Sequence, residues 1–246
     1  LLFSLIRQSL VIYEFFLPLS TKRHFVILPM YMEIYFLGHS SFKLKGKTTS
    51  VVIDPFDPKN VGLKYSGVEG DIVTISHDHD DHNQSQLVGG VRKILKGPGE
   101  YEIQGVTVLG FPSYHDDKKG EEKGKNTIYV YEIDGIRLCH LGDLGHQLSE
   151  SMVGDIGDID ILMIPVGGGS SLNSESAVKV AQAIEPRIII PMHYQEEGLN
   201  QTNFGHLNSY DEFVKDMGLP VETLPKLSIK KEEFGEEQKV VVLERK

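Results

Sequence analysis

The chain has 246 residues, 40% of them hydrophobic, which suits one large α/β domain with a substantial core. Its formal charge of −10 disfavours a large nucleic acid or an acidic membrane as partner, an argument that only a local basic patch would defeat. The single cysteine, Cys139, excludes an intrachain disulfide framework and points to a reducing, cytoplasmic setting.

Residues 1–31 differ in character from the rest of the chain. Arg7 and Glu14 interrupt the first apolar run and Thr21-Lys22-Arg23-His24 the second, so neither approaches the ~18–20 uncharged residues of a membrane span. Positive residues do not lead the segment, and no small-residue cleavage site comes after it, as a secretory signal requires. We read it as upstream sequence translated in frame, outside the fold, with the functional protein starting at Met30 or Met32. The alternative is a membrane-surface or partner-binding extension. Residues 32–246 are then the domain proper, with 22 basic against 34 acidic residues and a charge of −12.

From Met32 the pattern gives strands over 33–37, 42–45 and 50–53, the last ending at Asp54-Pro55. His39, in Gly38-His39-Ser40-Ser41, reads as structural rather than as a ligand. Asp71-Ile72-Val73-Thr74-Ile75 reads as a buried strand. It runs into Ser76-His77-Asp78-His79-Asp80-Asp81-His82-Asn83, the densest group of ligand-type residues in the chain. In an extended segment residues i and i+2 point the same way, so His77 and His79 can grip one cation. Asp81 and His82 lie past the bend and can reach a second position. Imidazole and carboxylate donors without thiolate suit zinc, manganese or iron. The bland alternative is an exposed His-rich loop with adventitious metal affinity.

Beyond the motif, Gln84–Gly89 allows little more than a helical turn, and 91–95 reads as a strand. A hairpin from Glu100 leads through Val106-Thr107-Val108-Leu109 to His115. The polar stretch 116–126 is either a lid beside that histidine or an ordinary solvated connection. Strands over 127–132 and 136–141 flank the turn dipeptide Asp134-Gly135 and end at Gly142-Asp143. Cys139, in the second of them, reads as a small core residue. The strand 160–166 enters Gly167-Gly168-Gly169, followed by a helix over 174–184 with Ala177, Val178, Ala181 and Ile184 on one face. That glycine loop, through Gly168, can hold an anion by its backbone amides or can serve close packing. A strand from Pro186 ends at His193. A short helix over 209–217 and strands at 227–229 and 240–243 close the chain.

The order H-x-H-x-D-H, then His115, Asp143 and His193, each at or just past a strand end, resembles the metallo-β-lactamase superfamily. Gly38-His39-Ser40 resembles the opening of its ascorbate-6-phosphate-lactonase-like branch. The resemblance covers nearly all of residues 32–246. It implies an α/β (α+β) fold, a four-layer αββα sandwich, and two divalent cations, zinc first, with manganese or iron as alternatives. One cation takes His77, His79 and His115, the other takes Asp81, His82 and His193, and Asp143 bridges. Asp54, at the end of its strand, is implied as the support of a ligand imidazole, with a turn cap before Pro55 as the alternative. His146 is a candidate substrate or proton contact, or a surface histidine.

The implied chemistry is hydrolysis of an ester, lactone, amide or phosphoester of a small, anionic or neutral substrate, by hydroxide held between the cations. Asp81 is the implied catalytic proton acceptor. His79 stands where oxygen-reducing diiron members tend to carry Glu, which favours a hydrolase. Two departures from the family bear on substrate: Asn83 replaces a small residue, and Ser170-Ser171-Leu172-Asn173 differs from the lactonase branch. The alternatives are a phosphodiesterase or nuclease of the tRNA 3′-processing type, and a metal-binding interaction module without turnover. A homo-oligomer is compatible with all three.

Overall fold

The structure is a computed structural model and describes residues 31–246, so the expectation for residues 1–31 lies, but for Tyr31, outside the described residues. Residues 31–246 form one compact unit. Its first sheet begins with β1 (Met32–Gly38), β2 (Ser41–Lys45), β3 (Ser50–Ile53), β4 (Ile72–Ile75) and β5 (Lys93–Lys96), with a four-residue helix α1 (Pro58–Val61) after β3. The chain then enters the second sheet through β6 (Gly99–Ile103), β7 (Val106–Tyr114), β8 (Lys125–Ile133) and β9 (Ile136–His140). Helix α2 (Glu150–Ile156), strand β10 (Ile161–Pro165), helix α3 (Ser174–Ile184) and strand β11 (Ile188–Met192) come next. Helices α4 (Gln201–Phe204) and α5 (Asp211–Met217) precede β12 (Val221–Leu224), β13 (Leu227–Ile229) and β14 (Lys239–Leu243).

The six-stranded sheet has the order β13-β1-β2-β3-β4-β5, the eight-stranded sheet β12-β14-β11-β10-β9-β8-β7-β6. Alternation along the strands dictates how these sheets pack. Val51, Ile53 and Ile72 point into the large core shared with the second sheet, while Val52, Val73 and Ile75 point outward into a smaller core. That smaller core also takes Val61, Leu199 and Phe204, so α1 and α4 cover the outer face of the first sheet. Helix α3 lies against β10, and α5 lies against α3. Two sheets back to back with helices outside make the expected αββα arrangement.

Most predicted strands occur within a residue or two of their expected limits. Three differences have plain causes. Helix α3 buries Ala177, Val180, Ala181 and Ile184, with Val178 only half-buried, because the i, i+3, i+4, i+7 stripe that starts at Ala177 passes through Val180. Helix α2, capped by Ser149, was not anticipated: it buries only Ile156 and so shows no apolar period. Strand β12 is an edge strand without a buried residue, and its sequence lacks alternation.

The stretch expected to be a lid or a connection is folded upon itself. The Asp116 carboxylate accepts from the amides of Lys118, Gly120, Glu122 and Lys123 at 2.7–3.1 Å. It therefore forms a turn wound round one carboxylate, and β8 starts at Lys125 rather than Thr127.

The sheets are joined by polar bonds as well as apolar contact. Tyr131 and Thr74, both fully buried, share a hydroxyl–hydroxyl bond of 2.7 Å, and the Tyr129 hydroxyl donates to the carbonyls of Ile75 and Gly97. The amide of Thr127 donates to the Ser76 carbonyl at 2.9 Å, which docks the start of the His-rich loop onto the second sheet. Thr74→Val or Tyr131→Phe alone strands one buried hydroxyl, and each is expected to cost about 1–3 kcal/mol in urea denaturation. The double variant is expected to cost less than the sum. Strict additivity would show that the bond carries no coupling.

Candidate metal centre

The site lies where strand ends of both sheets meet. His39 follows β1, Asp54 follows β3, the His77–His82 loop follows β4, His115 follows β7, Asp143 follows β9 and His193 follows β11. His39, Asp54 and His193 have φ of 58°, 44° and 51°, left-handed values that cost a non-glycine residue of order 1–3 kcal/mol. Such outliers persist where neighbouring structure holds them. Here the His193 amide donates to the His39 carbonyl at 2.8 Å, and the Asp54 amide to the Thr74 carbonyl at 3.0 Å.

The loop after β4 does not continue as an extended strand, as the i, i+2 argument supposed. It bends at once, closed by the bond from the His82 amide to the His79 carbonyl at 2.9 Å. The bend brings the His77 ring 4.1 Å from His82, as well as 4.6 Å from His79 and 4.7 Å from His115. Asn83 donates to Asp78 at 2.9 Å, which turns that acid away from the centre.

Ligand-type atoms gather in three overlapping groups, each within 4.8 Å: His77, His79 and His115; His39, Asp81, His82 and His193; and His77, His82 and Asp143. Asp143 is the centre. Its Oδ2 lies 3.1 Å from His193 Nε2, 3.3 Å from those of His82 and His115, and 3.9 Å from that of His77. All seven residues expected as ligands thus face one volume, and His39 joins them.

Support from behind fixes which nitrogen points inward. Asp54, fully buried, accepts from His82 Nδ1 at 2.9 Å and from both the amide and the hydroxyl of Ser76. The Ser76 hydroxyl, its proton committed to Asp54, accepts from His77 Nδ1 at 2.9 Å. Asp54 therefore braces two imidazoles, one directly and one through Ser76, and leaves both Nε2 atoms as lone-pair donors. The Asn126 side chain accepts from the Asp143 amide at 3.1 Å and donates to the Leu141 carbonyl and Ser113 hydroxyl at 2.8 Å. His140 donates to the Ser40 carbonyl at 2.9 Å and accepts from the Gly142 amide at 3.1 Å, which holds the turn that presents Asp143.

The electrostatics follow from this crowding. Burial alone pushes the Asp143 carboxyl up, but the charges of His193 and His82 reverse that and hold it well below the usual carboxylate range. Burial likewise opposes ionisation of Asp81, and His82 together with the His39 bond at 3.1 Å drives it well below that range. Burial and the neighbouring His82 push His77 well down, whereas Asp143 and Asp81 outweigh burial at His82 and push it well up.

The donor set fits cations. Among the described residues, His77 Nε2, His82 Nε2 and Asp143 Oδ1 are buried without a hydrogen-bond partner, although all three sit among charged or polar neighbours. Buried polar atoms left this way are costly unless something else engages them. Imidazole and carboxylate donors with no sulfur suit zinc, manganese or iron.

A family model described as a beta-lactamase superfamily domain matches residues 33–193. The chain belongs to the metallo-β-lactamase superfamily. A UPF0173 metal-dependent hydrolase of Thermococcus onnurineus is 27% identical over 190 residues, covering 66% of this chain and 84% of that protein. The crystal structure of a candidate zinc-dependent hydrolase of the metallo-beta-lactamase superfamily from Thermotoga maritima is 35% identical, with a TM-score of 0.70. The match spans 86% of this chain and 98% of that one. Igni18, a metallo hydrolase of Ignicoccus hospitalis, shares the fold at 19% identity and a TM-score of 0.64, over 87% and 96% of the two chains.

Other expected residues have different positions. His146 accepts from the Tyr114 amide at 3.3 Å and bonds the Gln147 carbonyl at 2.8 Å, lining a second cavity of about 460 Å³ beside Ser171 and Asn173. The Gly168 amide, offered as an anion donor, is used within its loop by the Leu172 carbonyl at 3.0 Å. The Gly167 amide likewise donates to the His193 carbonyl, and a Cβ there would meet that oxygen at 2.3 Å. Close packing under His193 is what Gly167 serves, and Gly168 supplies the left-handed φ of 78° that the loop requires. Ser76 and Asn126 were missed, and His39, read as structural, here bonds Asp81. Only the position of Ser76, directly before the His motif, offered any signal.

Asp54→Asn keeps the left-handed backbone accessible but removes the charge that both imidazoles share. Zinc affinity, read by chelator competition, is expected to fall about 10–100-fold, and by less in Ser76→Ala, which spares His82. Unchanged affinity in a folded Asp54→Asn protein would remove Asp54 from this role.

Proposed function

We propose that the protein is a binuclear metal-dependent hydrolase of small esters, lactones, amides or phosphoesters. One observation carries the reading: a buried carboxylate, Asp143, has four imidazole nitrogens within 3.9 Å of one oxygen, with Asp81 beside them. His77, His79 and His115 would hold one cation, Asp81, His82 and His193 the other, with Asp143 shared. Zinc is our first choice, with manganese or iron as alternatives. When bound, such cations supply a nucleophile near neutral pH and stabilise the anionic oxygen that develops in the transition state.

The chain's own part is proton transfer and placement. Asp81, ionised at neutral pH and held by His39, can accept the proton of the attacking water and pass it to the leaving group. His39 is itself held in place, because its amide donates to Glu196 at 2.8 Å, and Glu196 in turn accepts from Arg245 at 3.1 Å. His79 is half-buried and, with His77, lines a cavity of about 700 Å³, so a substrate entering there meets these two imidazoles first. The names of the relatives above, metal-dependent hydrolases, support the same reaction class. The Gly38-His39-Ser40 opening supports a lactone as one of the first substrates to try. The lone buried cysteine supports a cytoplasmic setting.

The test is metal content of the purified full chain together with turnover of bis(p-nitrophenyl) phosphate and a small lactone panel. About two metals per chain are expected, with activity lost on chelation and restored by zinc or manganese. Asp81→Ala and His115→Ala are each expected to lose about 10²-fold or more in kcat. Material grown with zinc, manganese and iron that carries no stoichiometric metal would overturn the proposal.

A further inference from the structure

The 700 Å³ cavity on the His77–His79 side has walls unlike the rest of this acidic surface. Ile75, Pro98, Pro112 and Tyr114 supply apolar area. Most of the polar side chains at its floor are already engaged. Ser76 donates to Asp54, Ser113 to the Asn126 carbonyl, and Asn126 to Ser113 and Leu141. Asp78, the sole acid on the lining, accepts from Asn83. A neutral polar substrate would therefore find few uncommitted partners there.

What the walls do offer is three ammonium groups. Lys96 comes from the end of β5, Lys123 from the turn wound round Asp116, and Lys125 from the start of β8. Among the described residues none of the three is ion-paired, unlike Lys118 on the same turn as Lys123, so their charges are available to a ligand. Two segments remote in sequence, one at Lys96 and one at Lys123–Lys125, thus bring three ammonium groups against the single Asp78 carboxylate to one cavity, on a chain of net charge −10. Clefts lined by one sign of charge concentrate ligands of the other.

We propose that this cavity selects a substrate with an apolar body and a terminal carboxylate or phosphate, recognised by Lys96, Lys123 and Lys125 while the scissile bond faces the His cluster. The substrate class rests on the hydrolase reading, whereas recognition of the anion by the lysines does not require turnover.

The experiment separates the two. The full metal-loaded chain and its K96Q/K123Q/K125Q variant are titrated calorimetrically with 4-phenylbutyrate, 3-phenylpropylphosphonate and the neutral 4-phenylbutanol. The anionic probes are expected to bind the unaltered chain about 10–100-fold more tightly than the alcohol. That preference is expected to collapse in the variant and to shrink at high salt, where screening lengths fall to about 3 Å at 1 M. The carboxylate and phosphonate arms show which anion fits. In parallel, kcat/KM is compared for p-nitrophenyl valerate and the p-nitrophenyl hemiester of glutaric acid, whose ratio is expected to favour the anion and to drop in the variant. Equal binding of anionic and neutral probes overturns the inference, even if the neutral ester is turned over. An anion preference that survives in the variant also overturns it, because the metal centre rather than the lysines would then hold the anion. Lysine-dependent binding without turnover of either ester supports the recognition and counts against the hydrolase reading alone.

Discussion

The Asp54 carboxylate is the constraint on which the centre depends. The His77–His82 loop has no regular hydrogen-bonded ladder to shape it, so side-chain bonds must do so. Asp54 fixes the first turn through Ser76 and the last through His82, and Ser76 is tied to the second sheet through Thr127. A single buried anion thus sets the position of the motif, the tautomers of two imidazoles, and the docking of the loop between sheets. Its left-handed backbone, strained in isolation, turns the side chain back beneath the loop.

Gathering so many titratable groups in one buried volume works against stability. Asp143 is ionised at full burial, and it is tolerated because imidazoles surround it and Asn126 holds its amide. Ligand-type atoms left without partners add a desolvation cost that bound cations would offset, which would couple metal binding to folding stability. The scaffold answers with large apolar burial: two sheets, each strand delivering alternate residues to one core or the other. The strained backbone sits at strand ends, where rigid ladders on both sides keep it in place.

Much of this was legible in the sequence, and the reason is periodicity. Buried strands such as 72–75, 161–165 and 188–192 are short apolar runs bounded by turn residues, and ligand-type residues at their ends stand out against that background. His115, Asp143 and His193 were paired with the H-x-H-x-D-H motif by the resemblance to the superfamily's ordered signature, and each sits at such a boundary. His39 could not be assigned from local pattern, because its role depends on contact with Asp81, 42 positions away. Asn126 and Ser76 are ordinary residues until the fold brings Asp143 and Asp54 against them. The glycine run left two readings open, an anion subsite and close packing. G-G-G before a helix signals available amides, but whether those amides are spent depends on Leu172 and His193, which local sequence does not reveal.

The division between strand ends and loops also bears on what this protein acts upon. The proposed ligands come from strand termini and short turns that both sheets hold rigidly, so the same chemistry can recur throughout a superfamily. The cavity beside them has His77 and His79 on one side, and its other walls include segments with no proposed ligand: Gly97-Pro98 after β5, and the turn around Asp116 that carries Lys123. The side chains those segments present can change without removing a bond of the Asp54 or Asp143 networks. Relatives with the same centre therefore need not share a substrate. In this chain that cavity carries Lys96, Lys123 and Lys125, on a surface whose overall charge is strongly negative.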